Sequence, residues 1–143
     1  MTTRHRMQGV TLLELMIVVA CVAILATVAV ANYRGYMIRA NRTEARMALL
    51  NIQSAQEKFY LQNNQYADST QLTTAPPAGL GIPAATATGL YTVAITNPTG
   101  VDRSFTATAS SAGGQLGDVA ACRTLTINQD GTRTPADTSG CWK

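Results

Sequence analysis

The chain has 143 residues, a mass of 15.1 kDa and a net charge of +3, which together allow one small folded domain. Its only histidine is His5, and its eight acidic residues show no paired spacing, so the usual groups for acid–base catalysis and metal ligation are missing. The composition therefore predicts a protein that is not an enzyme and that has no catalytic residue, metal site or cofactor.

An apolar segment begins at Val10, directly after the short basic stretch MTTRHRMQG. Glu14 is the only charged residue between Val10 and Ala31, a run of 22 residues. About 20 apolar residues suffice to cross a bilayer, and a carboxylate at bilayer depth costs about 2.5 to 3.5 kcal/mol. We therefore predict a cytoplasmic leader over residues 1–9, a transmembrane segment over residues 10–31 and a functional role for Glu14.

The helical pattern continues beyond the apolar segment, because no proline occurs between Val10 and Ala75. Arginines at 39, 42 and 46 lie on one face of this continuation, which we interpret as solvated or as an intermolecular surface. Apolar residues on another face recur at helical spacing, namely Ala45, Ala48, Leu49, Ile52, Ala55 and Phe59. The sequence thus predicts one helix from Val10 to about residue 62, half membrane anchor and half amphipathic.

The remaining residues have the pattern of a small sheet. Turn formers and prolines in residues 73–83 end the helical pattern, and residues 89–96, 103–109 and 122–128 then alternate apolar side chains with Thr or Ser. Asp130-Gly131 follows as a turn signal. We predict an α+β fold in which three or four antiparallel strands pack on the helical stripe that contains Ile52 and Phe59.

The three cysteines fall into two environments. Cys21 lies in the apolar segment, where a packing role is expected, whereas Cys122 and Cys141 lie near the C-terminus. A disulfide between these two would stabilise the C-terminal loop by about 3 kcal/mol and would require an oxidising compartment, the alternative being two free thiols in the cytosol. The arginines after the apolar segment outnumber those before it, so the positive-inside rule would place the C-terminal part in the cytoplasm. Because a disulfide needs an oxidising compartment, we nevertheless expect residues 32–143 to form a periplasmic domain.

The stretch GVTLLELMIVV, after a short basic leader, resembles the type IV prepilin signal, and the chain is identified as a member of the type IV pilin family. The matching residues are a glycine at the cleavage point (Gly9), an apolar run from Val10 and an acid at Glu14, the fifth residue after the cut. The resemblance implies that a membrane peptidase cuts between Gly9 and Val10 and that the Val10 amine is N-methylated. It also implies that Glu14 is an assembly residue.

The resemblance extends along most of the chain. Residues 31–67 look like the helix of minor pilins of the PilE type, and LTINQDGTRTP followed by GCW looks like their C-terminal strands and disulfide region. Family members most often have phenylalanine where this chain has Val10, and they often have proline where it has Ala31. Without that proline a helix break at residue 31 is not implied, and Gly35 is the alternative position for one.

The implied function is that of a minor pilin, a structural subunit that serves motility or adhesion. The expected localisation is the inner membrane, crossed once with the N-terminus in the cytoplasm, and then the pilus at the cell surface. The expected partners are membrane lipid, the prepilin peptidase, the inner-membrane assembly platform, the major pilin and other minor pilins.

Several other functions fit parts of the sequence. A type II secretion pseudopilin or a major pilin would share the N-terminal segment. A DNA-uptake pilin would need an exposed basic face, but removal of Arg4 and Arg6 leaves nine basic and eight acidic side chains, so nucleic acid is not an expected partner. A secreted binding module would arise from ordinary signal-peptide cleavage after Ala31, in the pattern Ala29-Val30-Ala31, although Glu14 is foreign to such a signal.

The mature N-terminus distinguishes these classes. Intact-mass analysis of membrane and pilus fractions should find a chain that begins at Val10 and carries a methylated amine, and replacement of Gly9 should leave the precursor uncut. A mature chain that begins at Asn32 would instead support the secreted module.

Overall fold

The structure, a computed structural model, describes residues 10–97, 103–136 and 140–142. One long helix, α1 (Leu12–Asn63), precedes four strands: β1 (Tyr91–Thr96), β2 (Thr106–Ser111), β3 (Thr124–Asn128) and β4 (Arg133–Thr134). Two 3-10 turns, Gly113–Gly117 and Ala120–Cys122, lie between β2 and β3. The chain divides into two compact units, with the boundary between Met37 and Ile38.

The first unit is the N-terminal part of α1, and its apolar side chains are uncovered. The large apolar residues from Val10 to Val30 are between 55% and 78% exposed, and the helix is long and apolar enough to cross a membrane. The helix is continuous through Ala31 and Gly35, as the sequence pattern predicted, so neither residue ends it. An apolar surface of this size is typical of a segment that contacts lipid or another protein.

The second unit has a single core between α1 and the sheet. The sheet is antiparallel throughout, in the order β1-β2-β3-β4, with Val93 opposite Ala109 and Ala109 opposite Leu125. Alternate residues of β1 are buried, and they share the core with Leu49 and Ile52 of α1. The predicted α+β fold is confirmed, and the short strand β4 makes the sheet four-stranded.

The end of α1 and the loop that follows are fixed by local hydrogen bonds. Asn64, at a φ of 54°, ends the helix in the left-handed conformation, and its N–H donates to the Tyr60 carbonyl at 2.8 Å. The buried Gln56 amide exchanges two hydrogen bonds with the backbone of Ala67, at 2.8 and 2.9 Å. Position 79 has room only for glycine, because a Cβ there would clash with the Gln71 carbonyl oxygen.

The C-terminal loop is closed by a disulfide between Cys122 and Cys141, whose Cα atoms lie 5.3 Å apart. Both cysteines are buried in the core of the second unit, whereas Cys21 is free and exposed on α1. The predicted pairing is therefore the one that the structure contains.

Candidate functional site

The start of α1 combines an exposed acid with a helix cap. The Thr11 hydroxyl accepts a hydrogen bond from the Glu14 backbone N–H at 3.2 Å, which satisfies one of the free donors of the first turn. Thr11 and Glu14 also have the spacing of a capping box, and a negative charge is favourable beside the helix N-terminus. The Glu14 backbone thus belongs to a helix cap that the sequence interpretation missed.

The predicted cleavage site is only partly within the described residues. Gly9 and the leader lie outside them, whereas Val10 lies inside and is 70% exposed. Glu14 is exposed among the apolar side chains of the first unit. Within the part of the chain that the structure describes, no cation lies within ion-pair distance of its carboxylate. Any charged partner of Glu14 therefore lies outside the described residues or on another molecule.

In the second unit, α1 is joined to the β2–β3 connection by a buried ion pair. The Arg42 guanidinium donates from Nε to Asp118 Oδ2 at 2.8 Å and from Nη2 to Asp118 Oδ1. Arg42 is 8% exposed and Asp118 is 3% exposed, so the two charges are almost fully removed from water. Two parallel N–H···O bonds of this kind add geometric specificity to the attraction between the charges.

Other polar groups complete the hydrogen bonds of this pair. The Asp118 carboxylate also accepts from the Val119 backbone N–H at 2.7 Å and from Gln115 Nε2 at 3.3 Å. Gln115 Nε2 donates as well to the Ile38 carbonyl of α1, at 2.9 Å. Because buried charges are tolerated only when they are paired and hydrogen-bonded, this network accounts for the position of the 3-10 turns against α1.

A second arginine, one turn further along α1, holds the end of the chain. Arg46 donates from Nη1 to the Trp142 carbonyl at 2.9 Å, and Arg42 Nη1 donates to the Gly140 carbonyl at 3.4 Å. The two contacts lie on either side of Cys141. We call Arg42, Arg46, Asp118 and the Cys122–Cys141 disulfide the C-terminal clamp.

The pKa values of the ion pair follow from these contacts. Burial raises the pKa of the Asp118 carboxyl, but hydrogen bonds from Arg42 and from the Val119 N–H outweigh it, so this pKa lies below its ordinary value. The hydrogen bond with Asp118 raises the pKa of Arg42 above its ordinary value, against the effect of burial. Both groups are therefore charged at neutral pH.

The interpretation of three arginines as a solvated or intermolecular face is wrong for Arg42 and incomplete for Arg46. Arg39 is exposed, but Arg42 is buried in its ion pair and the half-buried Arg46 binds the C-terminal backbone. One sequence signal could have shown this, because Arg42 is in phase with the buried stripe of α1. The buried positions follow one another at intervals of three and four residues, as Arg42, Ala45, Leu49, Ile52, Gln56 and Phe59.

Two family models match this chain. One, described as "Type IV minor pilin ComP, DNA uptake sequence receptor", matches residues 31–126, and the other, the prokaryotic N-terminal methylation motif, matches residues 4–30. The chain belongs to the type IV pilin family. The second match covers the segment in which Gly9, Val10 and Glu14 were singled out.

Similar proteins include both pilins and a secretion protein. This chain is 37% identical over 75 residues to the type IV major pilin protein PilA of Myxococcus xanthus, and the match covers 52% of this chain and 34% of PilA. It is 37% identical over 94 residues to the type IV major pilin protein PilE1 of Neisseria gonorrhoeae, covering 66% of this chain and 41% of PilE1. A type II secretion system core protein G of Pectobacterium carotovorum is 34% identical over 67 residues, covering 47% of this chain and 43% of that protein.

These matches therefore span between 34% and 43% of the length of the three curated relatives. A solved type IV pilin from Shewanella oneidensis is similar over more of its length. It is 26% identical to this chain, covers 74% of this chain and 98% of its own, and has a TM-score of 0.54.

The clamp yields a test of stability. Replacing Asp118 with Asn in the full-length pilin leaves the Arg42 charge buried without a counter-charge, which typically costs about 3 to 5 kcal/mol in free energy of unfolding. Urea unfolding in detergent, monitored by Trp142 fluorescence, measures this loss of free energy of unfolding. The double variant Arg42→Met, Asp118→Leu should lose less stability than Asp118→Asn, and Asp130→Asn, at an exposed turn, should change it by less than about 0.5 kcal/mol.

The same pair has a defined pH dependence. Because the pKa of Asp118 is lowered on folding, its contribution is fully present above the ordinary carboxyl pKa of about 3.9 and is lost as pH falls through the folded value. The stability difference between the natural pilin and Asp118→Asn should therefore be constant at neutral pH and shrink in acid. A difference that grew below pH of about 4 would contradict this assignment.

Proposed function

We propose that this pilin is a minor pilin, a structural rather than catalytic subunit that is held in the inner membrane and then packed into a type IV pilus. The observation that carries the proposal is the contrast between the two units. The large apolar side chains from Val10 to Val30 are more than half exposed, whereas the second unit buries its own core between α1 and the sheet. A protein with this division needs lipid or other apolar helices around its N-terminal segment.

In the membrane stage, residues 10–31 cross the inner membrane with the N-terminus in the cytoplasm. The Cys122–Cys141 disulfide supports a periplasmic position for the second unit, because such bonds persist in oxidising compartments. A prepilin peptidase removes residues 1–9 and exposes the Val10 amine for methylation. The inner-membrane assembly platform then transfers the subunit from lipid to the base of the pilus.

In the pilus stage, Glu14 pairs with the positively charged N-terminal amine of a neighbouring pilin. Packed apolar helices exclude water, so an unpaired carboxylate there is strongly disfavoured and a paired one is partly compensated. Coulomb attraction at low effective dielectric weakens over a few ångströms, so the pair also sets the axial register of the incoming subunit. The absence of an intramolecular cation beside Glu14 among the described residues is compatible with this role.

The minor-pilin assignment within the family is supported by the model that matches residues 31–126, which is described as a minor pilin. The curated relatives include major pilins and a secretion core protein, and their shared N-terminal segment does not separate these subunits. The small second unit, closed by one C-terminal disulfide, favours a minor subunit.

A second candidate function is DNA binding during uptake, because the matching family model is also described as a DNA uptake sequence receptor. The structure gives this candidate fewer free cations than the sequence suggested. Arg42 is buried and paired with Asp118, and Arg46 binds the C-terminal backbone. Of these three arginines Arg39 alone is exposed, and the other exposed basic residues of the described chain are Arg34, Lys58, Arg103, Arg123 and Arg133.

Glu14 variants test the structural role. Glu14→Ala and Glu14→Gln should be processed and inserted normally but should enter pili at least about fivefold less, because no carboxylate meets the neighbouring amine. The ratio of this pilin to the major pilin in sheared pili, compared with its amount in membranes, measures the effect.

Thr11→Ala is the matched control, since it removes the helix cap but keeps the carboxylate, and it should enter pili nearly normally. If Glu14→Ala enters pili at the same ratio to the major pilin as the natural chain, the pairing is wrong. If Thr11→Ala enters pili as poorly as Glu14→Ala, the defect comes from a disturbed helix start and not from the missing charge pair.

A further inference from the structure

Two exposed tyrosines follow the apolar segment of the first unit. Tyr33 and Tyr36 are each 63% exposed, within the range of the apolar side chains before them, and their spacing of three residues puts them on one face of α1. The other three tyrosines are packed, since Tyr91 is fully buried and the ring centroids of Tyr60 and Tyr66 lie 4.7 Å apart. Only the tyrosines of the first unit thus present most of their surface to the surroundings.

The charged residues on either side of the apolar segment have the spacing of a bilayer. Glu14 and Arg34 are 20 residues apart on α1, both are exposed, and no charged residue lies between them. At 1.5 Å per residue they are about 30 Å apart along the helix axis, which is about the thickness of the hydrocarbon core. One depth therefore keeps both charges out of the hydrocarbon, with Glu14 at one boundary and Arg34 at the other.

Tyrosine and arginine are suited to the boundary between hydrocarbon and water. A tyrosine ring is apolar and its hydroxyl is polar, so this side chain is enriched at membrane interfaces. An arginine covers apolar surface with its stem and keeps its guanidinium among polar groups, where it can bind phosphate with two hydrogen bonds. We call Tyr33, Arg34 and Tyr36 the anchor band.

We propose that the anchor band binds the headgroup layer of a phospholipid bilayer and fixes the depth of α1 in the membrane. The inference rests on the proposed function, because it describes the membrane stage of this pilin. In the bound position the Arg34 guanidinium pairs with lipid phosphates. The hydroxyls of Tyr33 and Tyr36 hydrogen-bond to phosphate and ester oxygens, while their rings contact the outer part of the hydrocarbon.

This depth gives Glu14 two different environments. In the membrane stage its carboxylate lies at the opposite boundary from the anchor band, where water and headgroups solvate it, so the charge does not oppose insertion as it would at the bilayer centre. The carboxylate leaves this polar layer when the subunit enters the pilus. Its need for a partner amine therefore arises at assembly.

The thiol of Cys21 is a natural reporter of the depth of α1. It is free and exposed, whereas Cys122 and Cys141 are joined in a disulfide, so a nitroxide can be attached to Cys21 alone. Cys21 lies seven residues after Glu14, so the proposed depth places its backbone about 10 Å from the Glu14 boundary. Power-saturation EPR of the full-length pilin in vesicles of phosphatidylethanolamine and phosphatidylglycerol, with oxygen and a water-soluble nickel chelate as relaxing agents, measures this distance.

Variants of the anchor band test whether it sets the depth. In the triple variant Tyr33→Leu, Arg34→Leu, Tyr36→Leu the charge-free segment continues to Arg39, so its midpoint shifts along α1 and the nitroxide should move about 3 Å towards the Glu14 boundary. The control Tyr33→Trp, Tyr36→Trp keeps Arg34 and an amphipathic ring at both positions, so its depth should stay within about 1 Å of the natural value. An unchanged depth in the leucine variant, or an equal shift in both variants, would overturn the proposal.

The same measurements separate the anchor from the membrane stage itself. If the nitroxide of the natural chain is as accessible to the nickel chelate as a label in water, both the membrane stage and the anchor are wrong. If the nitroxide lies in hydrocarbon but keeps its depth in the leucine variant, the membrane stage stands and the anchor is wrong. A depth that changes with the ratio of lipid to pilin would reject headgroups in favour of contacts between pilins.

Discussion

The buried ion pair between Arg42 and Asp118 is the constraint on which the second unit depends. Asp118 lies in the connection between β2 and β3, and Arg42 lies on α1, so the pair joins elements that are distant in sequence. Gln115 and the backbone of Val119 hold the carboxylate in place, and Arg46 extends the contact to the C-terminal segment. Since a single buried charge is costly, the pair makes any other position of this connection unfavourable.

The two units differ in whether their apolar side chains are buried by the chain itself. The second unit stabilises itself through a core, a disulfide and the C-terminal clamp. The first unit leaves its large apolar side chains from Val10 to Val30 exposed, and the proposed function surrounds them with lipid or with other helices. In the proposed function, the same chain is a membrane protein first and a filament subunit later, and only the surroundings of the first unit change between the two stages.

The regular parts of this fold were predictable because their signals are local. Absence of proline predicted the long helix, alternation predicted the strands, and the separation of Cys21 from Cys122 and Cys141 predicted the pairing. The clamp was not predictable in the same way, since Arg42 and Asp118 are 76 residues apart and each resembles a surface residue on its own. Gln115 lies between the predicted strands 103–109 and 122–128, where no element was predicted, yet it is buried and donates to the Ile38 carbonyl of α1.

Amide hydrogen exchange of the full-length pilin in detergent micelles tests most directly whether the ion pair fixes the β2–β3 connection. In Asp118→Asn, amides of residues 113–128 should exchange at least about tenfold faster than in the natural chain, while those of residues 52–63 keep their protection. Unchanged exchange in residues 113–128, or an equal loss of protection throughout the second unit, would contradict the view that this pair holds the connection on α1.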